Sequence, residues 1–324
     1  MTDLARGSRL VAIAPNPSID RLVEVEAFRR GAIHRPLATT VVAGGKGFNV
    51  ARVASALGAQ VTAIGLLGGH AGRWIAEALA RDGVEVVPVW HDGETRTCTS
   101  ILDRSDGTTT EIYETGPPVE PEAWAQLVEA LATTIAPLNR AGAGLVTVSG
   151  SLPPGAPSDG LAQIVRVATA AGIRTAVDGS GRALVEGLLA GPWLVKVNLD
   201  EAREALQAPA AGPGAAARGL VAAGARHAIV TAGITGAVAV LEDGSLIRLV
   251  PPAVSEHTVG AGDAFLGGLA DAVVRGSDLR QAAVAGIAAA ASSARVPGAG
   301  RIDVSMAVRY RDAVVIESVP ERAG

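Results

Sequence analysis

The sequence predicts an α/β protein whose mainly parallel sheet is covered by helices on both faces, with a small second sheet beside it. Three observations predict this. Short β-rich runs alternate with Ala- and Leu-rich stretches along most of the 324 residues, which implies crossover connections between parallel strands. Hydrophobic residues make up 48% of the chain and its mean hydropathy is positive, so it can bury a sizeable core, and its length allows two domains or one large α/β domain. Two segments, 21–42 and 95–116, instead alternate polar with apolar residues and carry few helix formers, as strands solvated on one face do.

In chain order, LVAIAP (10–15) is the first β-rich run, and the first polar–apolar segment follows it. Strand-like TTVVA then runs into Gly44, Gly45, Lys46 and Gly47, and a helix from about Phe48 turns Val50, Val53, Ala54 and Leu57 toward a core. VTAIGLL (61–67), a helix from about Ala71 and VEVVPVW (84–90) continue the alternation. In the second polar–apolar segment, SDG at 105–107 supplies a hairpin turn, and the two segments are expected to pair as a small sheet. Runs at 143–150, 173–179, 193–198 and 227–233 then alternate with helices beginning near Pro121, Ser158, Leu199, Gly214, Ala264 and Leu279. Residues 208–219 (APAAGPGAAARG) are low in complexity and read as a surface loop. In such a sheet, ligands gather at the carboxyl ends of the strands.

Composition narrows the ligand. A net charge of -4, a pI near 5.8 and the lack of any Lys/Arg run argue against a nucleic-acid surface and for small molecules. No apolar run is long enough to span a membrane. The one cysteine, Cys98, has no internal partner and residues 1–8 lack an apolar signal core, so a cytoplasmic location is expected.

Two glycine clusters carry chemistry. In HTVGAGDAF (257–265), a helical pattern with Leu266, Leu269 and Val273 on one face puts Asp263 in its first turn. The first amides of a helix lack internal partners, so an anion can approach Gly260, Ala261 and Gly262 unobstructed. A carboxylate beside phosphate is repelled, which suits Asp263 to accepting a proton from an attacking hydroxyl; a helix-start aspartate favoured by the dipole explains it equally on these nine residues alone. The cluster around Lys46 is neither a Walker A loop nor GxGxxG. Its glycines allow close approach of a polyhydroxylated ligand, Asn49 offers a donor and an acceptor, and Lys46 offers charge; a glycine turn with a solvated lysine and a capping asparagine reads as well.

AGGKGFNVARVASALGAQVTAIGLLGGHAG and HTVGAGDAFLGGLADAV resemble the two signature regions of the phosphofructokinase B family of sugar kinases, which has the ribokinase-like fold. The resemblance runs from APNPSIDRLVEVEAFRRGAIHR through TRTCTSILD, VSGSLPPGAP, VDGSG and VKVNLDEA to the last helices. It implies one three-layer α/β/α kinase domain over 1–324, with 21–42 and 95–116 forming a β-sheet lid, and ATP and Mg2+ as cofactors. It implies that Asp263 is the catalytic base, with the amides of Gly260, Ala261 and Gly262 as the anion hole. Asp20, Gly44, Gly45 and Asn49 match sugar-hydroxyl positions. Lys196, Asn198, Thr231, Gly233 and Gly236 match the nucleotide side, VPPAV (250–254) the adenine wall, and Glu201 of Asn-x-x-Glu a magnesium link through water.

Within the family, NPSID, GGKG and the Thr-Arg before the second lid strand are similar to the branch acting on ketohexose phosphates, 1-phosphofructokinases and tagatose-6-phosphate kinases. Lys46 and Arg96 would hold the phosphate that such a sugar carries. Val197 and His257 depart from the family pattern, and GAGDAF reads more like kinases of free sugars. A kinase of an unphosphorylated sugar or nucleoside is therefore the first rival, and a non-catalytic sugar-phosphate sensor the second. A dinucleotide-dependent oxidoreductase lacks the GxGxxG it would need. A homodimer through the lid strands is expected from the resemblance.

Overall fold

Successive side chains of β1 (Arg9–Ala14) enter different cores: Leu10, Ala12 and Ala14 pack on one side of the sheet, Val11 and Ile13 on the other. This two-sided burial is what a central parallel strand requires. The computed structural model describes residues 9–138, 144–252 and 259–319; Ala143, Ala253, Val254 and His257, invoked above, lie outside the described residues.

Strands β4 (Gln60–Leu67) and β5 (Glu85–Trp90) continue the sheet on one side of β1. On the other lie β8 (Gly144–Ser149), β9 (Arg174–Asp178), β10 (Leu194–Asn198) and β11 (His227–Thr231), all in parallel pairs. Chain order therefore reverses at β1, which opens a crevice outside the carboxyl ends of β1 and β8. Three antiparallel strands, β12 (Ala237–Val240), β13 (Leu246–Val250) and β14 (Val315–Ser318), extend the sheet to ten. The runs in the sequence did not single these out: β12 and β14 have four residues each, too short for a periodic signal.

One face of the sheet packs against α1 (Lys46–Ala56), α2 (Gly69–Arg81), α8 (Ala261–Val274) and α9 (Leu279–Ser293). The other packs against α3 (Pro121–Ile135), α4 (Gly160–Ala170), α5 (Gly181–Leu189), α6 (Leu199–Leu206) and α7 (Pro213–Ala222). The loop read over 208–219 ends at Pro213, because proline at the first helical position followed by alanines starts α7. Helices α5 and α10 (Val304–Arg311) were also not anticipated; each is a short element of nine and eight residues. Close packing of α8 depends on its glycines: a β-carbon at Gly268 would come within 2.6 Å of Ala289 on α9, and one at Gly267 within 2.7 Å of Val53 on α1.

A second sheet of four strands, ordered β3 (Ala38–Gly44), β2 (Ser18–Val25), β6 (Thr97–Asp103) and β7 (Thr109–Tyr113), stands apart from the first. β2 begins at Ser18, three residues before the segment that alternation marks, because Ser18 to Asp20 already pair with Val42 to Gly44 of β3.

Candidate active site

Strand ends and two helix starts surround a cavity of about 620 Å³. β1 leads to Asn16, β8 to Gly150 and Ser151, β9 ends on Asp178, β10 on Asn198 and β11 on Thr231. The start of α1 contributes Gly45, Lys46 and Asn49, the start of α8 contributes Gly260 to Asp263, and the small sheet contributes Ser18, Asp20, Cys98 and Tyr113. Of the residues singled out in the sequence, Asp20, Gly45, Lys46, Asn49, Arg96, Lys196, Asn198, Glu201, Thr231, Gly233, Gly236 and Gly260 to Asp263 all line it. Gly44 stands behind the Asp20 carboxylate, which fills the space a β-carbon there would take.

The backbone explains why glycine occupies two of these places. Gly45 caps α1 with φ 89° and Gly260 caps α8 with φ 81°, in the left-handed region that side chains avoid. A β-carbon at Gly260 would also come within 2.8 Å of the Ala299 Cα. Among the described residues no side chain caps the start of α8, and Gly260 to Gly262 line the cavity at its positive end.

Asp263 is 6% exposed, and its Oδ2 accepts from Asn49 Nδ2 at 2.9 Å. Burial pushes its carboxyl up to about 7; Lys46 opposes that rise and Asp178 adds to it. At neutral pH such a carboxylate is poised between taking and releasing a proton.

Two lysines converge beside it on one carboxylate. Lys196 Nζ donates to Asp178 Oδ2 at 2.5 Å and Lys46 Nζ to Asp178 Oδ1 at 3.1 Å. Burial alone would raise Asp178, but Lys196 and Lys46 together hold it below the usual carboxylate range. Lys46 also reaches Glu201 Oε1 at 3.0 Å, and Asp178 holds its ammonium above the ordinary value. Lys196 lies directly under α8: a β-carbon at Gly262 would sit 2.9 Å from its Nζ.

The Asn-x-x-Glu segment is a capping box. Asn198 Oδ1 accepts from the Glu201 backbone N–H at 2.8 Å, and Glu201 Oε2 accepts from the Asn198 N–H at 3.0 Å. Among the described residues no three His, Cys, Asp or Glu side chains converge as a metal cage. Glu201 lines the cavity and each of its carboxylate oxygens already accepts one bond, and the acceptor capacity that remains fits a hydrated cation and not a fully stripped one.

Arg96 donates from Nη1 to the Glu114 carbonyl at 2.8 Å and from Nη2 to the Asn16 carbonyl at 2.9 Å, while its buried Nε has no partner among the described residues. Lys46 and Arg96, paired in the sequence reading, thus have different neighbours: carboxylates for one, backbone carbonyls for the other. On the same side, burial raises Asp20, whose carboxylate accepts from Ser18 Oγ at 2.6 Å.

Sequence reasoning missed Asp178, Asn16 and Ser151. Asp178 ends a strand inside VDGSG, so its position at a carboxyl end was the available signal. Asn16 and Ser151, bonded at 3.2 Å, are joined only by the pairing of β1 with β8, which no local pattern reports. The cavity lining also has an apolar part, with Ile234, Pro251, Pro252, Ile287 and Ala290.

Comparison with known proteins bears on this geometry. The model of the pfkB family of carbohydrate kinases matches residues 14–305. A 1-phosphofructokinase of Xanthomonas campestris is 36% identical over 273 residues, 82% of this chain and 84% of that protein. A tagatose-6-phosphate kinase of Staphylococcus epidermidis is 35% identical over 199 residues, 61% of this chain and 62% of its own. The crystal structure of phosphofructokinase-2 from Escherichia coli in complex with fructose-6-phosphate superposes with a TM-score of 0.83 at 27% identity, covering 94% of this chain and 98% of that one.

Proposed function

Because the chain belongs to the pfkB family of carbohydrate kinases, we propose that it transfers the γ-phosphoryl group of ATP to a hydroxyl of a ketohexose phosphate, giving a bisphosphate. The observation that carries this reading is the position of Asp263: a buried carboxylate with raised proton affinity, the third residue of α8 at its bare positive end. In this reading Asp20 and Asn49 bind the sugar hydroxyls and Asp263 takes the proton of the attacking one. The amides of Gly260 to Gly262 face the charge that develops on the transferring group, and Lys196 and Lys46 add positive potential beside it.

The apolar wall at Pro251, Pro252 and Ile287 suits an adenine ring, with Thr231, Gly233 and Gly236 along the nucleotide. Asn198 and Glu201 would meet hydrated magnesium, which supplies neutralisation of the phosphate charge when bound with the nucleotide. Arg96 is the cation for the phosphate the sugar already carries: it lines the cavity, and its Nε has no partner among the described residues. The four-stranded sheet is a lid that closes over the sugar and excludes competing water. It also serves a homodimer, because β7 is exposed along its whole length with Ile112 and Tyr113 on it. The same reading places the kinase in the cytoplasm; among the described residues no helix is long and apolar enough to cross a membrane.

A coupled assay of ADP release tests the reading against fructose 1-phosphate, fructose 6-phosphate, tagatose 6-phosphate and the corresponding free sugars with MgATP. Preference for a phosphorylated ketohexose by kcat/KM is the expected result. Preference for a free sugar would install the second reading, a kinase of unphosphorylated sugars, which the engagement of Lys46 with Asp178 and Glu201 favours.

A further inference from the structure

We propose that Arg52 is a positioning residue for proton transfer: it locks the side-chain amide of Asn49 with its NH2 turned to Asp263, and the surface carboxylate of Asp82 keeps Arg52 in that position. The proposal rests on Asp263 being the proton acceptor.

Three contacts in series define the device. Asp82 Oδ2 accepts from Arg52 Nε at 2.8 Å, Asn49 Oδ1 accepts from Arg52 Nη1 at 3.1 Å, and Asp263 Oδ2 accepts from Asn49 Nδ2 at 2.9 Å. Arg52 lies one turn beyond Asn49 on α1, so a continuous helix fixes the spacing of the middle contact. A carboxamide has nearly the same shape after a half-turn about its last bond, but the opposite polarity. A guanidinium has donors only and an ionised carboxylate acceptors only, so an amide between them has one allowed orientation. Without Arg52 the amide is free to turn its oxygen toward Asp263, which penalises the charged form of the base.

Arg52 is not buried for the sake of its ion pair. It is 6% exposed while the Asp82 side chain is 43% exposed, and an ion pair with one end in water offsets little of the cost of burying a guanidinium. Its other bonds run to the carbonyls of Ala43, beside the sugar-loop glycines, and of Ala299, which packs on Gly260. The charged groups that face Asp263 are Lys46 from α1, Lys196 from β10 and Asp178 from β9. Arg52 bonds none of these; the charges that face Arg52 are Asp82, Asp20 and Arg301, so its influence on Asp263 passes through the amide, and Asp20 is the other carboxylate that feels its removal.

The test is the pH dependence of kcat/KM with MgATP and the ketohexose phosphate accepted in the screen. Arg52→Met should move the acidic limb up by about one pH unit and lower kcat/KM at pH 7 about fivefold, because a base at about 7 is half ionised there; Arg52→Lys, which still only donates, should recover most of both. Asp82→Ala, at the half-exposed end, should move the limb in the same direction by a few tenths of a unit. A purely structural role lowers the whole profile without shifting it. An unmoved limb in folded Arg52→Met, or in Asp82→Ala if that variant does not fold, overturns the proposal. The limb should vanish in Asp263→Asn. If it survives there, the reading of Asp263 itself fails, whereas a limb that belongs to Asp263 and ignores Arg52 overturns the positioning role alone.

Discussion

Asp263 combines two consequences of one cause. Burial raises its proton affinity to about 7, so a base that must be ionised to act should lose activity as pH falls below about 7. The same burial bears on stability. Between the ordinary value of 3.8 and about 7 the folded chain binds a proton that the unfolded chain has released, so stability falls as pH rises through that window. Asp263→Asn should therefore lower kcat by about 10²- to 10⁴-fold and at pH 8 raise Tm by roughly 3 °C or more, with the gain shrinking toward pH 4. Turnover within a few-fold of the parent would remove Asp263 from the chemistry. Arg96 gives the second expectation at this scale. Charge-assisted bonds contribute about 1.5 to 3 kcal/mol each, so Arg96→Ala should weaken kcat/KM for the sugar phosphate ten- to a hundred-fold or more, with little change for ATP or for a free sugar. A ratio of phosphorylated to free sugar that does not fall in the variant would leave Arg96 a bracket between backbone carbonyls and nothing more.

Helix starts do two jobs in this molecule. The start of α8 is bare, open to the cavity and led by a glycine that no other residue replaces cheaply; the start of α6 is capped by its own Asn198 and Glu201. Reading Asn-x-x-Glu only as a magnesium motif overlooks this cap. Glu201→Gln keeps an oxygen for the Asn198 N–H but loses the charge facing Lys46. It should leave thermal stability within about 0.5 kcal/mol of the parent while raising the magnesium concentration needed for half-maximal turnover severalfold. Glu201→Ala should show both defects, with a stability loss of about 1 kcal/mol. Equal magnesium dependence in parent and Glu201→Gln would leave the segment as a cap alone.

For the whole molecule, the two sheets have different duties. The parallel strands β1 and β8 to β11 of the ten-stranded sheet are buried on both faces and fix the carboxyl ends that bear Asp178, Asn198 and Thr231. The four-stranded sheet carries Asp20 and Cys98 toward the cavity yet exposes every residue of β7, and elements with few buried contacts open at low free energy. Binding of the sugar phosphate should slow amide exchange across 18–25, 38–44, 97–103 and 109–113, read by mass spectrometry, while the ten-stranded sheet changes little. ATP hydrolysis without sugar should be slow in the same protein. Exchange in these strands that ignores the sugar would argue that the small sheet does not close.

The sequence by itself determined the α/β class, because alternating β-rich and helical runs leave few other ways to bury such a chain. It also marked Asp263 behind its glycines, because a helix start, a left-handed glycine and an adjacent carboxylate all fall within four residues. Gly44 was legible as a glycine but not for its reason, which is the Asp20 carboxylate approaching from another strand. Only the tertiary structure decided what lies between distant residues: that Lys46 answers to Asp178, 132 positions away, that Asn49 faces Asp263 across 214 positions, and that Arg52 stands behind Asn49. Such contacts leave no periodic trace, because strand order and helix packing set them, and a buried charge finds its partner by proximity in space and not along the chain.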